Sequence, residues 1–327
     1  MKGENQLLKA YSHKMRSCLH VSGEDAYSFL QSQFSNDLPK GEIPFERYGL
    51  WLNVKGRVLA DSVIVHAKDE DYYIFSENTD ASLIKEILEN HIIADDVEIE
   101  SIELSGSILV NTLGANVLCH KLGIPAREAK SETSNAVYQD LSVGLVFPSK
   151  RLGENGFVFC FLDNASHDLA KEALEEASVH WIGANEMHLK RLALGTPLVP
   201  NEIGPNDLAG EGNLVPSAAS LSKGCYLGQE VVARLYHVGK PQRQLFVMTF
   251  SALSESDSIE LPMSISIEGR SLGELRTLYQ DANDSNKWYG VALLKVRYLD
   301  LVQSEFRLAS HPLDSLSTLS EFSQNFE

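Results

Sequence analysis

The chain is poor in the residues from which most metal and disulfide sites are built. It has four cysteines in 327 residues, at positions 18, 119, 160 and 225, and no two form a Cys-x-x-Cys pair. Neither a disulfide framework nor a four-thiolate metal site is within reach of that spacing. Ten histidines are scattered without a His-x-x-x-His pair, so a catalytic zinc site has no support, and there is no Walker loop or Gly-rich dinucleotide fingerprint. No stretch of about 18 uncharged apolar residues is present, which excludes a spanning helix and, with it, a membrane partner. The amino terminus, MKGENQLLKAYSHKMRSCLHV, lacks the apolar core and small-residue cleavage site of a secretory signal. Cytoplasm is therefore the expected location. Cations are also scarce: 28 Lys and Arg against 45 acids give a formal charge of −17. Such a surface repels phosphate backbones, so no nucleic acid partner is expected.

What is there reads as a large folded α+β protein. Hydrophobic residues make up 43% of the chain and charged residues 22%, ordinary values for a packed core. Ser22 and Asp25 precede a helical spacing over 24–34. Alternation from Val58 to Glu77, broken by Lys68-Asp69-Glu70-Asp71, predicts two strands, and Asn78 or Thr79 is placed to cap the helix carrying Leu83, Ile84, Ile87 and Leu88. The order returns later as a helix over 114–122, a hairpin from Gly144 to Leu162 around Gly153-Glu154-Asn155-Gly156, and a helix with Leu169, Ala173 and Leu174. Two strand-strand-helix units at similar intervals predict two related halves within residues 1–240. Asn185 begins a further helix that ends before Pro197. The loop from Pro197 to Ser222 is long for a compact protein and leads straight into KGCYLGQE, which favours a functional role for it. Beyond a boundary near 240, strands at 244–250, 263–267, 272–278 and 288–294 predict a small barrel or sandwich over 241–327. The tail after His311, rich in Ser and acids, is expected to be loosely held.

Cys225 has the most decorated setting of the four thiols. Gly224 and Gly228 permit sharp turns and close backbone approach. Gln229 to Tyr236 reads as a helix with Val231, Val232 and Leu235 buried and Glu230 and Arg234 paired at i, i+4. Cys225 then precedes a helix amino terminus, and Lys223 stands two residues away. Both favour thiolate and are expected to lower the pKa from about 8.5. Cys18, Cys119 and Cys160 lie in apolar or strand-like contexts and read as packing. Lys223, Arg234, Lys240 and Arg243, with His237 among them, form a basic island against one acid, Glu230. An island of that sign in an acidic chain fits an anionic small ligand or an acidic partner.

These residues carry a family resemblance. Lys223-Gly224-Cys225-Tyr226-Leu227-Gly228-Gln229-Glu230, continuing through Ala233-Arg234, resembles the K-G-C-Y-x-G-Q-E signature of the YgfZ family of folate-binding-like proteins, related in fold to the aminomethyltransferase of the glycine cleavage system. Arg191 to Pro197 and Asn53-Val54-Lys55-Gly56-Arg57 are similar to two further family segments. The resemblance implies ferredoxin-like α+β units in a ring-like aminomethyltransferase-type fold with a carboxyl-terminal β-barrel, and a channel that takes tetrahydrofolate. It implies a folate-like ligand held by Asn53, Tyr226, Gln229, Glu230 and Arg234, with Cys225 as the reactive residue and Lys223 tuning it. It also implies iron–sulfur client or assembly proteins as partners and an accessory role more than an aminomethyltransferase. The alternative is a folate-dependent one-carbon transferase using Asp61. Two departures bear on that choice. Where aminomethyltransferases carry paired aspartates this chain has Ala60-Asp61, and where relatives often carry a glutamate that pairs with the pterin it has Ala193, which weakens the folate expectation.

Overall fold

The structure is a computed structural model and describes residues 7–41, 45–68, 71–124, 138–140, 143–153, 155–239, 241–251, 253 and 257–325. The first six residues, Asp69 and Glu70 of the charged turn, Glu154 of the hairpin turn and Lys240 of the basic island lie outside the described residues. The chain divides into two compact units, Met1–Trp51 with Asp61–Gly183, and Leu52–Ala60 with Ala184–Glu327.

The first unit holds two sheets. Strands β1 (Lys9–His13) and β2 (Ser17–Ser22) lead into α1 (Ala26–Gln33), β3 (Phe45–Leu52), β4 (Val58–Lys68), β5 (Asp71–Ser76), α2 (Ala81–Glu89) and β6 (Glu98–Ser101). One sheet is ordered β3-β4-β5-β2-β6, with β5 and β6 both antiparallel to β2. Taken as β2-α1-β4-β5-α2-β6, this is a ferredoxin-like unit with an extra edge strand. Helix α2 starts one residue later than its expected cap: Asp80 holds the cap position, and without a side-chain capping bond.

The second half runs through β7 (Gly106–Asn111), α3 (Thr112–Leu122), β8 (Tyr138–Asp140), β9 (Gly144–Ser149), β10 (Gly156–Phe161), α4 (Asn164–Glu176) and β11 (His180–Trp181). Its sheet is ordered β11-β1-β7-β10-β9-β8. The place that a fourth ferredoxin strand would take beside β7 is filled by β1, antiparallel to it, and β11 lies outside β1 in parallel. The first strand of the chain thus completes the second half. Ile108, Val110, Leu118, Phe159, Phe161 and Leu174 form the core beneath α3 and α4.

The second unit comprises α5 (Ala184–Ala193), a 3-10 turn at Ala209–Gly212, α6 (Val215–Ala218), α7 (Gln229–Val238), β12 (Arg243–Ser251), β13 (Met263–Ile267), β14 (Arg270–Gln280), β15 (Lys287–Lys295), α8 (Leu299–Glu305), the short β16 (Arg307–Leu308) and β17 (His311–Pro312), β18 (Ser315–Thr318) and α9 (Leu319–Asn325). Its main sheet is ordered β13-β14-β15-β12-β18. The expected carboxyl-terminal barrel is thus an antiparallel sheet in which no pairing among the described residues closes β13 onto β18. β14 carries two register shifts, at Leu272 against β13 and at Arg276 against β15, where an extra residue locally increases strand twist. The tail is not loose: β18 pairs with β12, and Leu319 and Phe322 of α9 are buried.

The Pro- and Gly-rich loop after α5 is fixed by charge as well as by burial of Val199, Ile203 and Leu214. Arg191, buried in α5, donates to both oxygens of Glu202 at 2.8 and 2.6 Å. Glu202 also accepts from the Leu198 amide at 2.8 Å and the Thr277 hydroxyl at 2.6 Å. Farther along, Asp207 pairs with Arg276 and Arg243, and Glu211 accepts two bonds from Arg243, each 2.9 Å. Three acids of the loop are thereby tied to three arginines, two of them on β12 and β14. Buried charges persist only when paired in this way.

Candidate functional site

Cys225 is exposed, whereas Cys18 and Cys160 are buried and Cys119 is half-buried. Burial pushes Cys18 up to about 12, raises Cys160 well above its usual range and raises Cys119. A thiol reagent such as iodoacetamide at neutral pH is expected to label Cys225 and leave the other three largely intact, read by peptide mass spectrometry. Comparable labelling of Cys119 would contradict this.

The loop bearing Cys225 is pinned at its far end. Gly228 has φ +81° and caps α7, and a Cβ there would lie 2.6 Å from the Asn53 carbonyl oxygen and 3.0 Å from the Gly56 Cα. In return, a Cβ on Gly56 would lie 2.9 Å from the Val231 Cβ. Two glycines thus seat the Asn53-to-Arg57 turn on the first turn of α7. Gly224 has open space around it, so only the second motif glycine answers to close approach. Asn53 shapes this turn: its Oδ1 accepts from the Lys55 and Arg57 amides at 2.9 and 3.1 Å.

The remaining predicted residues divide. The Lys223 ammonium lies over the Tyr226 ring, 5.2 Å from its centroid, and the Gln229 amide donates to the Lys223 carbonyl at 3.4 Å. These contacts bring Lys223, Tyr226 and Gln229 into one folded loop. Tyr226 is buried, its hydroxyl has no hydrogen-bond partner, and burial pushes its pKa up to about 12. Glu230 and Arg234 are exposed, and among the described residues no ion pair joins them. Leu235, expected inside, is 36% exposed, because α7 buries only the stripe through Val232.

A second polar group lies in the first unit and was represented in the sequence by Asp61 alone. Tyr48 on β3 donates to Asp61 Oδ2 on β4 at 3.0 Å. Burial pushes the Asp61 carboxyl up to about 6, against the lowering effects of the Tyr48 bond, the Arg151 charge and the Ser76 hydroxyl. Burial and then the Asp61 charge hold the Tyr48 phenol well above its usual range. Ser76 also accepts from the Thr79 amide at 3.3 Å and stands opposite Ser17 in the ladder of β2 and β5. Arg151, after β9, pairs with Glu77, and His13 Nε2 lies 3.8 Å from Glu77. Burial, reinforced by Arg151, lowers His13 to about 3, so the ring is neutral and Glu77 has no cation in it. Among the described residues Ser17 Oγ, Thr79 Oγ1 and both His13 nitrogens are buried with no hydrogen-bond partner. Orphans of this kind are uncommon in a folded interior, and four of them mark a polar cradle. Tyr48, Glu77, Arg151 and His13 carried no signal in the sequence, since they come from four separate stretches that only the two sheets bring together.

The raised Asp61 pKa gives a stability test. A carboxyl that titrates near 6 when folded and near 3.9 when unfolded binds more protons in the native state between those values. Its contribution is favourable at pH 4 and is lost as pH rises through 6. Asp61→Asn is therefore expected to gain about 1–2 kcal/mol relative to wild type between pH 4 and pH 7, discounted for partial exposure. Urea titrations at the two pH values measure it, and an unchanged difference would contradict the assignment.

Among the described residues no three His, Cys, Asp or Glu side chains gather into a metal-ligand set, and no helix is long and apolar enough to cross a membrane.

Comparison with known proteins follows these lines. Residues 13–114 match the model of the GCVT N-terminal domain. The crystal structure of the glycine cleavage system aminomethyltransferase T from Bartonella henselae superposes with a TM-score of 0.71 at 17% identity, covering 89% of this chain and 79% of that one. The fold is that of an aminomethyltransferase. Among curated relatives, the tRNA-modifying protein YgfZ of Vibrio atlanticus is 36% identical over 96 residues, 28% of each chain. The human mitochondrial iron-sulfur cluster assembly factor IBA57 is 27% identical over 286 residues, 80% of this chain and 72% of the relative. Other curated relatives are matched over 60% and 63% of their own length. These likenesses support a YgfZ-like, aminomethyltransferase-related family for the chain, at low identity.

Proposed function

We propose that this protein is an accessory factor for the assembly or repair of iron–sulfur enzymes, that it binds tetrahydrofolate or a similar anion, and that it acts through Cys225. The observation that carries the reading is the exposed thiol on a pinned loop, in a chain whose other cysteines are buried or half-buried. The names of the YgfZ and IBA57 relatives support the iron–sulfur part. Cys225 serves as a transient thiolate ligand to iron carried by a client, giving up its proton on binding and regaining it on release. Lys223 and Tyr226 hold the loop in the shape that presents it. No metal-ligand set surrounds the thiol among the described residues, which suits handing a cluster on better than keeping one.

The polar cradle in the first unit fits a reduced pterin by its donors and acceptors. Asp61 accepts ring and amino N–H groups, and the orphaned Ser17 and Thr79 hydroxyls complete its polar lining. When bound, the folate supplies a ring nitrogen able to accept one carbon. Within the second unit, Arg234, Glu230, Gln229 and Tyr226 offer polar groups of their own to a folate-like anion, with Asn53 shaping the turn beside them. Anaerobic titration calorimetry with tetrahydrofolate is expected to give saturable one-site binding, weakened about tenfold by Asp61→Asn, the loss of one charge-assisted bond. Absence of heat at millimolar ligand would remove the cofactor from this account.

One observation favours a second reading, a folate-dependent one-carbon transferase. A carboxyl titrating near 6 beside a tyrosine suits general acid–base work at neutral pH. Ala60 in place of the paired acid counts against it. Turnover of a methylated or aminomethylated amine with tetrahydrofolate, abolished in Asp61→Asn, would establish the transferase; turnover that survives the change would exclude Asp61.

A further inference from the structure

We infer that the outer face of α7, with the tip of the Asn53 turn, is a docking surface for an acidic protein segment bearing apolar side chains. Among the described side chains of α7 only Val232 is buried, and Arg234, Leu235, Tyr236 and His237 are exposed in succession. A helix that packs on one side normally keeps its large apolar residues there. Here Leu235 is 36% and Tyr236 53% exposed, so the helix shows apolar surface to solvent as well. Val231 abuts Gly56 of the turn, and residues three and four further on, Arg234 and Leu235, continue that face by one helical turn. At the tip of the turn Val54 is 70% exposed. Val54, Leu235 and Tyr236 are thus exposed apolar side chains on two elements that Gly56 and Gly228 pin together.

Charge identifies the occupant. The turn, the KGCYLGQE loop and α7 carry Lys55, Arg57, Lys223 and Arg234 against the single acid Glu230, in a chain of net charge −17. A positive patch on an otherwise acidic protein steers an acidic partner to that place and turns it away elsewhere. The apolar residues and Tyr236, with Arg234, supply the kind of contact that carries affinity once the partner arrives. A nucleic acid would use the cations but not the valine and leucine, and would meet the field of the whole chain. A small anion would likewise leave the exposed valine, leucine and tyrosine unused. The surface shares Arg234 and Glu230 with the proposed folate contacts but no residue with the cradle around Asp61, so peptide binding and folate titration of Asp61→Asn fail separately.

The test is fluorescence anisotropy with the full chain and defined probes. A fluorescein-labelled helical peptide of glutamate and leucine is expected to bind saturably and more weakly as salt rises. The same peptide with serine for leucine, or lysine for glutamate, is expected to bind about tenfold more weakly or worse. Arg234→Glu and Tyr236→Ala, both at exposed positions and with circular dichroism as the folding control, are each expected to weaken the first peptide about tenfold. The inference is overturned if the glutamate-leucine peptide does not bind, if neither substitution matters, or if single-stranded RNA or phosphatidylserine vesicles bind more tightly than the peptide.

Discussion

Glu202→Ala is expected to lower the unfolding free energy by about 3–5 kcal/mol, the cost of leaving a buried charge without its partner. Glu202 is fully buried and Arg191 is 2% exposed, so water cannot take over the guanidinium once the carboxylate is gone. The same substitution frees the Leu198 amide and the Thr277 hydroxyl, each a further desolvated donor. These groups join α5, the loop and β14, so the loss should appear as a drop in the denaturant midpoint rather than as local fraying. A companion variant separates charge from packing. Arg191→Met with Glu202→Leu removes both charges and keeps apolar volume, and it should recover most of the loss. A cost below about 1 kcal/mol for Glu202→Ala, near the value of an exposed pair, would show that the pair is hydrated.

The second large effect concerns the two glycines of the cysteine motif, which the structure separates. Gly228→Ala is expected to cost about 2–4 kcal/mol, combining a left-handed backbone with a backbone collision. Its φ is +81°, and the new Cβ would stand 2.6 Å from the Asn53 carbonyl oxygen. Relief requires the Asn53 turn and α7 to move apart, which releases the loop that presents Cys225. Gly224→Ala meets nothing within 4 Å and should change stability by less than about 0.5 kcal/mol. Thermal denaturation of the two variants side by side is the measurement, and equal effects would contradict the pinning.

Local patterns carried most of the secondary structure into the sequence. Helices α1, α3, α4, α5 and α7 and strands β4, β5, β9, β10 and β12 to β15 lie where periodicity and turn residues place them. The exchange of β1 into the second half was not legible, because four residues, Ala10 to His13, pair with a strand about a hundred positions away and nothing local encodes that choice. The ordered tail was hidden by composition: Ser and acids dominate it, and the anchors are the pairing of β18 with β12 and the buried Leu319 and Phe322. At the candidate site, KGCYLGQE announced the exposed thiol, since its spacing is contiguous. The loop acids Glu202, Asp207 and Glu211 looked like solvated charges, and only the fold shows three arginines facing them. The cradle around Asp61 was the least visible part, because its members are single residues from separate strands and the turns after them, whose meeting depends on register.

The central claim is that an exposed cysteine on a pinned loop serves iron–sulfur enzymes. It is tested most directly by measuring the activity of iron–sulfur enzymes in cells lacking this protein and supplied with wild type, Cys225→Ala or Cys119→Ala at equal abundance. The account predicts that wild type and Cys119→Ala restore activity and that Cys225→Ala, though folded, does not. Full restoration by Cys225→Ala would contradict it.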